Sequence, residues 1–416
     1  MLDTSVYVMV HLYSVVRDTL PLKAFDESSK GVAFALALLG FAIVACSLLY
    51  WIWFWRLQRY YEDVARAYLI RANAEGKLGA THLRRQSLRL LSYNVFVRPP
   101  GISARGNDFK DERLARLLAQ LVRLDVDVVA LQELFRFGSP RQRAFVWAAC
   151  RLGGYRYSAA LPYPPRGWHW PPRILDGGVT VLSRLPVERV AFTTYRSAHW
   201  HYIDCLVAKG VLCVHLRIPF HEPSTGAVHP GKVALFATHA QAGNASYPGI
   251  RVIRRKQLQQ LARFVQEEEA GEGILPAIIC GDLNLNGMDG HLADRDSSEY
   301  TEMMSILNGD ADASAKPVRV FRFRDLVKEA NDHRHPVTVD AVTAEGTPRE
   351  PLLIPAKARK QPKRLDYILC DPGPRVSCRV LAARVEPFIL DSWDTAPFRQ
   401  LSDHDAIFVE MEFTES

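Results

Sequence analysis

A chain of 416 residues with 48% hydrophobic and 10% aromatic content can bury a large core, which excludes a disordered or fibrous protein. A formal net charge of +7 attracts polyanions, nucleic acid and anionic lipid alike, without choosing between them. The seven cysteines are odd in number and scattered, without CxxC or Cys/His ligand spacing, which argues against a disulfide framework and a structural zinc motif and favours a reducing compartment.

In chain order, residues 1–30 form an N-terminal segment whose apolar stretch 5–16 either lies along a membrane surface or packs in the fold. Residues 31–55 follow, 25 residues without a charge, long enough to cross the roughly 30 Å hydrocarbon layer. The run ends in Tyr50, Trp51, Trp53 and Trp55, suited to a headgroup interface, and then Arg56 and Arg59. A single-pass integral membrane protein is expected. Arg17, Lys23 and Lys30 before the span against Arg56, Arg59, Arg66 and Arg71 after it tilt the C-terminal part slightly toward the cytosol.

Residues 56–85 lack a clean apolar stripe and read as a helical or irregular stalk, and 86–416 as the catalytic body. There LRLLSYNVF (88–96) predicts a strand, and Leu114, Leu117, Leu118, Leu121 and Leu124 a helix. VDVVALQEL, GGVTVLSRLPV, KVALFATHA, PAIICGDLNL, RLDYILC and AIFVEMEF predict further strands, with an amphipathic helix over 250–268. Residues 286–362 form a long polar insertion with short helical or strand-like pieces and a basic loop. The alternation predicts a large α/β sandwich of mixed sheets.

Several apolar strands end in an acid, an amide or a histidine. Asn94 in SYN and Glu133 in LQE offer the sparse oxygen pair that a hard cation such as Mg²⁺ needs when substrate oxygens complete its shell. GDLN places Asp282 and Asn284 on one side of a turn, to hold a water or metal and donate to a phosphate oxygen, or merely to close an Asx turn. His404 in LSDH can stand over a reacting phosphorus with Asp366 of RLDY behind it, fixing its tautomer. His239 in TH adds a second imidazole.

The ordered set SYN, QE, TH, GDxN, LDY and SDH resembles the endonuclease/exonuclease/phosphatase superfamily over roughly residues 88–413. The resemblance implies a DNase I-like four-layer α/β sandwich with two packed β-sheets, and Mg²⁺-dependent phosphodiester cleavage, with Mn²⁺ as the alternative ion. It implies Glu133 and Asn94 as the metal site, Asp403 as a metal-linked carboxylate, Asp282 and Asn284 positioning water and phosphate, and His239 as a second histidine. His404 oriented by Asp366 would be the general base, with Asp282 the other group that can take the proton.

Within the superfamily, NVFVRPPG, NDFKDERL, GGVTVLSRLPV and the D-x-x-x-A-K-G pattern of 204–210 resemble the neutral sphingomyelinase branch. The expected substrate is therefore a membrane sphingophospholipid, sphingomyelin or an inositol phosphosphingolipid, cleaved to ceramide and a phosphorylated headgroup. Lys209 is expected near the lipid phosphate, while Trp168 and Trp170 on a Pro-rich loop either reach the headgroups or cap the core. The basic loop suits an anionic lipid surface. Leu285-Asn286 after GDLN departs from the inositol phosphatase pattern, and no basic-aromatic stripe favours nucleic acid. A membrane-bound nuclease and an inactive membrane scaffold are the alternatives.

Overall fold

The computed structural model describes residues 27–74, 86–103, 108–163, 173–200, 203–222, 224–247, 249–272, 275–309, 319–339, 342, 347–353 and 362–415. The stretch 5–16, the loop carrying Trp168 and Trp170 and most of the basic loop lie outside them. The chain divides into two units, residues 1–56 and 57–416. One helix, α1 (Glu27–Ala74), runs through the boundary. In the first unit Leu39, Phe41, Leu48, Leu49 and Ile52 are exposed. The helix is long and apolar enough, over Leu39–Ala74, to cross a membrane by length and composition.

The part of α1 in the second unit buries Tyr61, Ala65, Tyr68 and Ala72, one face at helical spacing. Tyr61 Oη donates to Asp111 at 2.8 Å and Tyr68 Oη to Asp391 at 2.6 Å, while the Arg71 guanidinium lies over the Trp393 ring. Residues 57–74, expected as part of a stalk, are thus helical and packed against the body.

The body continues as β1 (Leu88–Val97), α2 (Lys110–Leu124), β2 (Val128–Leu134), α3 (Arg141–Gly153), β3 (Tyr157–Ala160), β4 (Thr180–Ser183), β5 (Val187–Thr194), β6 (Gly210–His221) and β7 (Val228–His239). Then come α4 (Ile250–Glu272), β8 (Ala277–Asp282), β9 (Met288–Asp289), β10 (Leu292–Asp296), α5 (Ser298–Leu307), β11 (Arg324–Asp325), α6 (Leu326–Ala330), β12 (Asp366–Asp371), β13 (Val376–Glu386) and β14 (Ala406–Glu415).

Twelve of the strands form two packed layers, β11-β12-β8-β7-β6-β5 and β13-β14-β1-β2-β4-β3, joined along one edge where Phe413 and Thr414 of β14 pair with Phe220 and His221 of β6. Leu90, Val128 and Ile407 of one layer meet Leu212, Leu235 and Ile278 of the other in a shared core. Helices α4 and α5 cover the outer face of the first layer, packing Leu258, Leu261, Val265 and Met303 on Phe236 and Ile279. Helix α2 turns its buried leucines toward β1 and α3. The result is the expected four-layer α/β sandwich.

Each layer contains one parallel pair bridged by a helix, β1-α2-β2 and β7-α4-β8; the neighbouring strands β12 and β14 run antiparallel to them. GGVTVLSRLPV divides into β4 and the start of β5 around Pro186, where the ring removes a ladder donor.

Candidate functional site

The registers decide where the chemistry falls. Asn94 and Glu133 end the parallel strands of one layer, His239 and Asp282 those of the other. Asp366 opens β12 directly opposite Asp282, and the Ser402-Asp403-His404 turn delivers β14 beside β1. All six strand ends therefore open on the same edge. Asn94 closes the gap between layers: its Nδ2 donates to Asp282 Oδ2 at 3.0 Å and to Glu133 Oε1 at 3.2 Å.

Local backbone choices aim these groups. Gly281 adopts φ +140°, and a Cβ there would fall on the Thr238 carbonyl oxygen, so the Gly of GDLN lets β8 close on β7. Glu133 and Asn284 hold φ of +58° and +55°, a left-handed conformation that costs L-residues about 1 kcal/mol or more each and recurs at functional sites. Asp282 divides its oxygens: Oδ1 accepts from Asn284 N at 2.9 Å, the Asx turn, while Oδ2 faces His239 Nε2 at 3.5 Å and His404 Nε2 at 3.7 Å. Asn284 Nδ2 donates to Ala240 O at 3.2 Å. The turn and the site are one device.

The two histidines are driven apart. His404 Nδ1 lies 3.0 Å from Asp366 Oδ2, and although burial opposes its charge, the Asp366 and Asp282 carboxylates outweigh burial and raise it well above the ordinary histidine range. His239 is held well below that range by burial and by the positive Lys209 and His404. Burial also lifts Asp282 to about 7 and raises Glu133, with Asp403 adding to the latter. Groups of one type with opposed shifts around one carboxylate mark a site built for proton transfer.

Lys209 is buried, and its ammonium contacts Asp204 Oδ2 at 2.8 Å, Ala240 O at 2.8 Å and His239 Nε2 at 3.1 Å. It stands behind His239 rather than on an open surface. Asp403, partly exposed, lies 3.3 Å from Ser402 Oγ, whose single proton is donated to Asn94 O at 2.6 Å. Glu133 Oε2 is buried and has no hydrogen-bond partner among the described residues. An unpaired buried carboxylate oxygen near the Asp282 carboxylate fits a hard divalent cation, while Asn94 turns its Nδ2 toward both carboxylates and its Oδ1 accepts from Phe96 N at 3.1 Å. Trp168 and Trp170 fall outside the described residues.

Three supporting residues escape a sequence reading. Arg113, fully buried, donates to Val95 O, Phe96 O, Asp108 O and Leu401 O, each at 2.7 Å, tying the end of β1 beyond Asn94 to the approach of His404. Thr338 Oγ1 accepts from Leu365 N at 3.0 Å and Asp366 N at 3.3 Å. Arg364, also fully buried, donates to Asp325 Oδ1 at 2.6 Å and lies 3.1 Å from His335 Nδ1. The 286–362 region thus holds the strand that carries Asp366. Only the spacing of Arg113 within an otherwise leucine-lined face, KDERLARLL, signals any of this in advance.

Residues 91–404 match the model of the Endonuclease/Exonuclease/phosphatase family. The chain belongs to this family. Among its relatives, a sphingomyelinase of Dictyostelium discoideum is 25% identical over 457 aligned residues, covering 77% of this chain and 97% of that one. The crystal structure of sphingomyelinase C from Streptomyces griseocarneus superposes with a TM-score of 0.50 at 21% identity over 78% of this chain and 99% of that one. A beta toxin variant from Staphylococcus aureus with bound magnesium ions gives 0.50 at 18% identity, again over 78% and 99%. These structures establish the shared fold. As a member of this family, the chain is a phosphoric diester hydrolase.

Proposed function

We propose that this chain is a membrane-anchored, Mg²⁺-dependent phosphodiesterase that cleaves a sphingophospholipid to ceramide and a phosphorylated headgroup. The convergence of Glu133, Asp282 and the His404–Asp366 pair on one edge carries the reaction class. The match to a sphingomyelinase over nearly its whole length favours the substrate class. If the charge-free run of α1 spans a membrane, as its length and composition allow, it would tether the hydrolase to a lipid surface, which supports a lipid over a nucleic-acid substrate.

Glu133 and Asn94 would hold the ion, with Asp403 linked to it. Such an ion would supply neutralisation of phosphoryl charge and polarisation of a phosphoryl oxygen. His404 Nε2 takes the proton of a water aligned in line with the scissile P–O bond, and Asp366 keeps Nδ1 protonated and stabilises the imidazolium that forms. Asp282, Asp366 and His404 offer atoms within 4.8 Å of one another, but Asp366 spends an oxygen on His404, so this set serves the proton. His239 is neutral and accepts from Lys209 at Nε2, which leaves its N–H at Nδ1, an atom without a partner among the described residues, to donate to a phosphate oxygen. Lys209 adds positive potential from behind it. Asp282 and Asn284 position the water and the phosphate.

The detergent-purified full chain, assayed with sphingomyelin, inositol phosphosphingolipid, lysophospholipid and abasic DNA in Mg²⁺ or EDTA, tests this reading. Mg²⁺-dependent sphingolipid hydrolysis is the expected result; DNA cleavage without lipid hydrolysis replaces it with a membrane-bound nuclease.

A further inference from the structure

Away from the catalytic edge, a second cluster of ligand-type side chains is buried under α4. Cys213 and His215 stand two apart on β6 and so share its outer face; Glu268 meets them from the helix. Cys213 pairs with Phe236 and His215 with Ala234, one strand turn or more below Thr238 and His239. Their ligand atoms all lie within 4.8 Å of one another. His215 Nε2 is 3.6 Å from Glu268 Oε2, against an edge of about 3.3 Å for two donors on a tetrahedral ion. We propose that Cys213, His215 and Glu268 form a second metal site, one for a borderline-soft divalent ion such as Zn²⁺ rather than Mg²⁺.

The donor set carries the selectivity. Thiolate and imidazole suit zinc and are poor partners for magnesium, which takes oxygen ligands. Charge bookkeeping closes as well: one thiolate and one carboxylate neutralise a divalent cation in a place where an isolated charge is expensive. Binding converts Cys213–SH and M²⁺ to Cys213–S⁻–M²⁺ and one proton released to solvent; no oxidant or reductant enters. Without metal, burial and then Glu268 push the Cys213 thiol upward, so it stays protonated.

The metal-free protein has a stand-in cation. Arg189 on β5, the register partner of His215 on β6, places Nη1 3.1 Å from the same Glu268 Oε2, and its side chain is 41% exposed. An arginine with that exposure can turn outward when an ion takes Glu268. The guanidinium and the ion therefore compete. This competition separates a metal site from a buried polar cluster that merely packs.

The test uses Co²⁺ as a spectroscopic probe on the purified, EDTA-dialysed full chain. The site predicts a thiolate-to-cobalt charge-transfer band that saturates at one equivalent, is displaced by Zn²⁺ and persists in excess Mg²⁺. Cys213→Ser should abolish the band, and Glu268→Gln should weaken cobalt binding at least about tenfold. Arg189→Met should tighten it by about two- to fivefold, the worth of a partly exposed ion pair, with hydrolytic activity unchanged. If Cys213→Ser does not fold, the Glu268→Gln and Arg189→Met titrations decide. No band in the native chain, or affinity unmoved in both of those variants, overturns the proposal.

Discussion

Asp366→Asn isolates the proton-transfer pair with one isosteric change. Asp366 Oδ2 stands 3.0 Å from His404 Nδ1 inside a buried site, and its Oδ1 has no partner among the described residues, so the amide fits the same space. A hydrogen bond to a charged partner contributes about 1.5–3 kcal/mol, roughly 10- to 150-fold in rate if it is made fully only in the imidazolium. Loss of the enforced tautomer adds to this, for a total fall in kcat of about 10²–10⁴-fold. The pH profile supplies the sign. Asp366 raises His404, so its removal lowers the pH at which the base becomes free, and the acid limb moves to lower pH. The assay is initial-rate hydrolysis across pH at saturating Mg²⁺, with circular dichroism to verify the fold. A folded variant within about threefold of native rate, or an acid limb that stays in place, would refute the assignment.

Other outcomes follow from the same geometry. Glu133→Gln keeps the volume and the Asn94 contact but removes the charge, so hydrolysis should drop at least about 10²-fold and resist rescue by added Mg²⁺; EDTA on the native chain should abolish activity reversibly, as rate measurements will show. Arg113→Met strands four carbonyls and should cost about 3–5 kcal/mol, lowering Tm by roughly 4–7 °C in calorimetry; an unchanged melt would contradict the clamp. Asn244, exposed in the sequon Asn244-Ala245-Ser246, reports sidedness: a cytosolic body predicts no glycan there in eukaryotic expression, and a mass shift on glycosidase treatment would place the body on the luminal side.

The strand-end polar residues were legible in the sequence because each interrupts an apolar run, and the order of motifs supplied what no single position could. Their mutual distances were not: Asn94 reaches Asp282 only because two layers pack face to face. β6, a long central strand, is hard to read in sequence because Arg217 and the histidines blur its apolar pattern. Arg113 shares a helix face with leucines, but only the fold surrounds it with carbonyls. The packed part of α1 was hidden for another reason. Beyond Leu57 its buried face is built from Tyr61, Ala65, Tyr68 and Ala72 rather than large aliphatics, and the tyrosine hydroxyls find partners at Asp111 and Asp391, far along the chain. Thr338 and Arg364 were similarly silent, since their roles depend on where the insertion returns.

Hydrolysis of sphingomyelin in water enriched in heavy oxygen tests the central claim most directly. In-line attack of water on phosphorus, with His404 taking its proton, predicts one labelled oxygen in the released phosphorylated headgroup and none in ceramide. Label in the ceramide hydroxyl, or no Mg²⁺-dependent release of headgroup from the lipid, would contradict it.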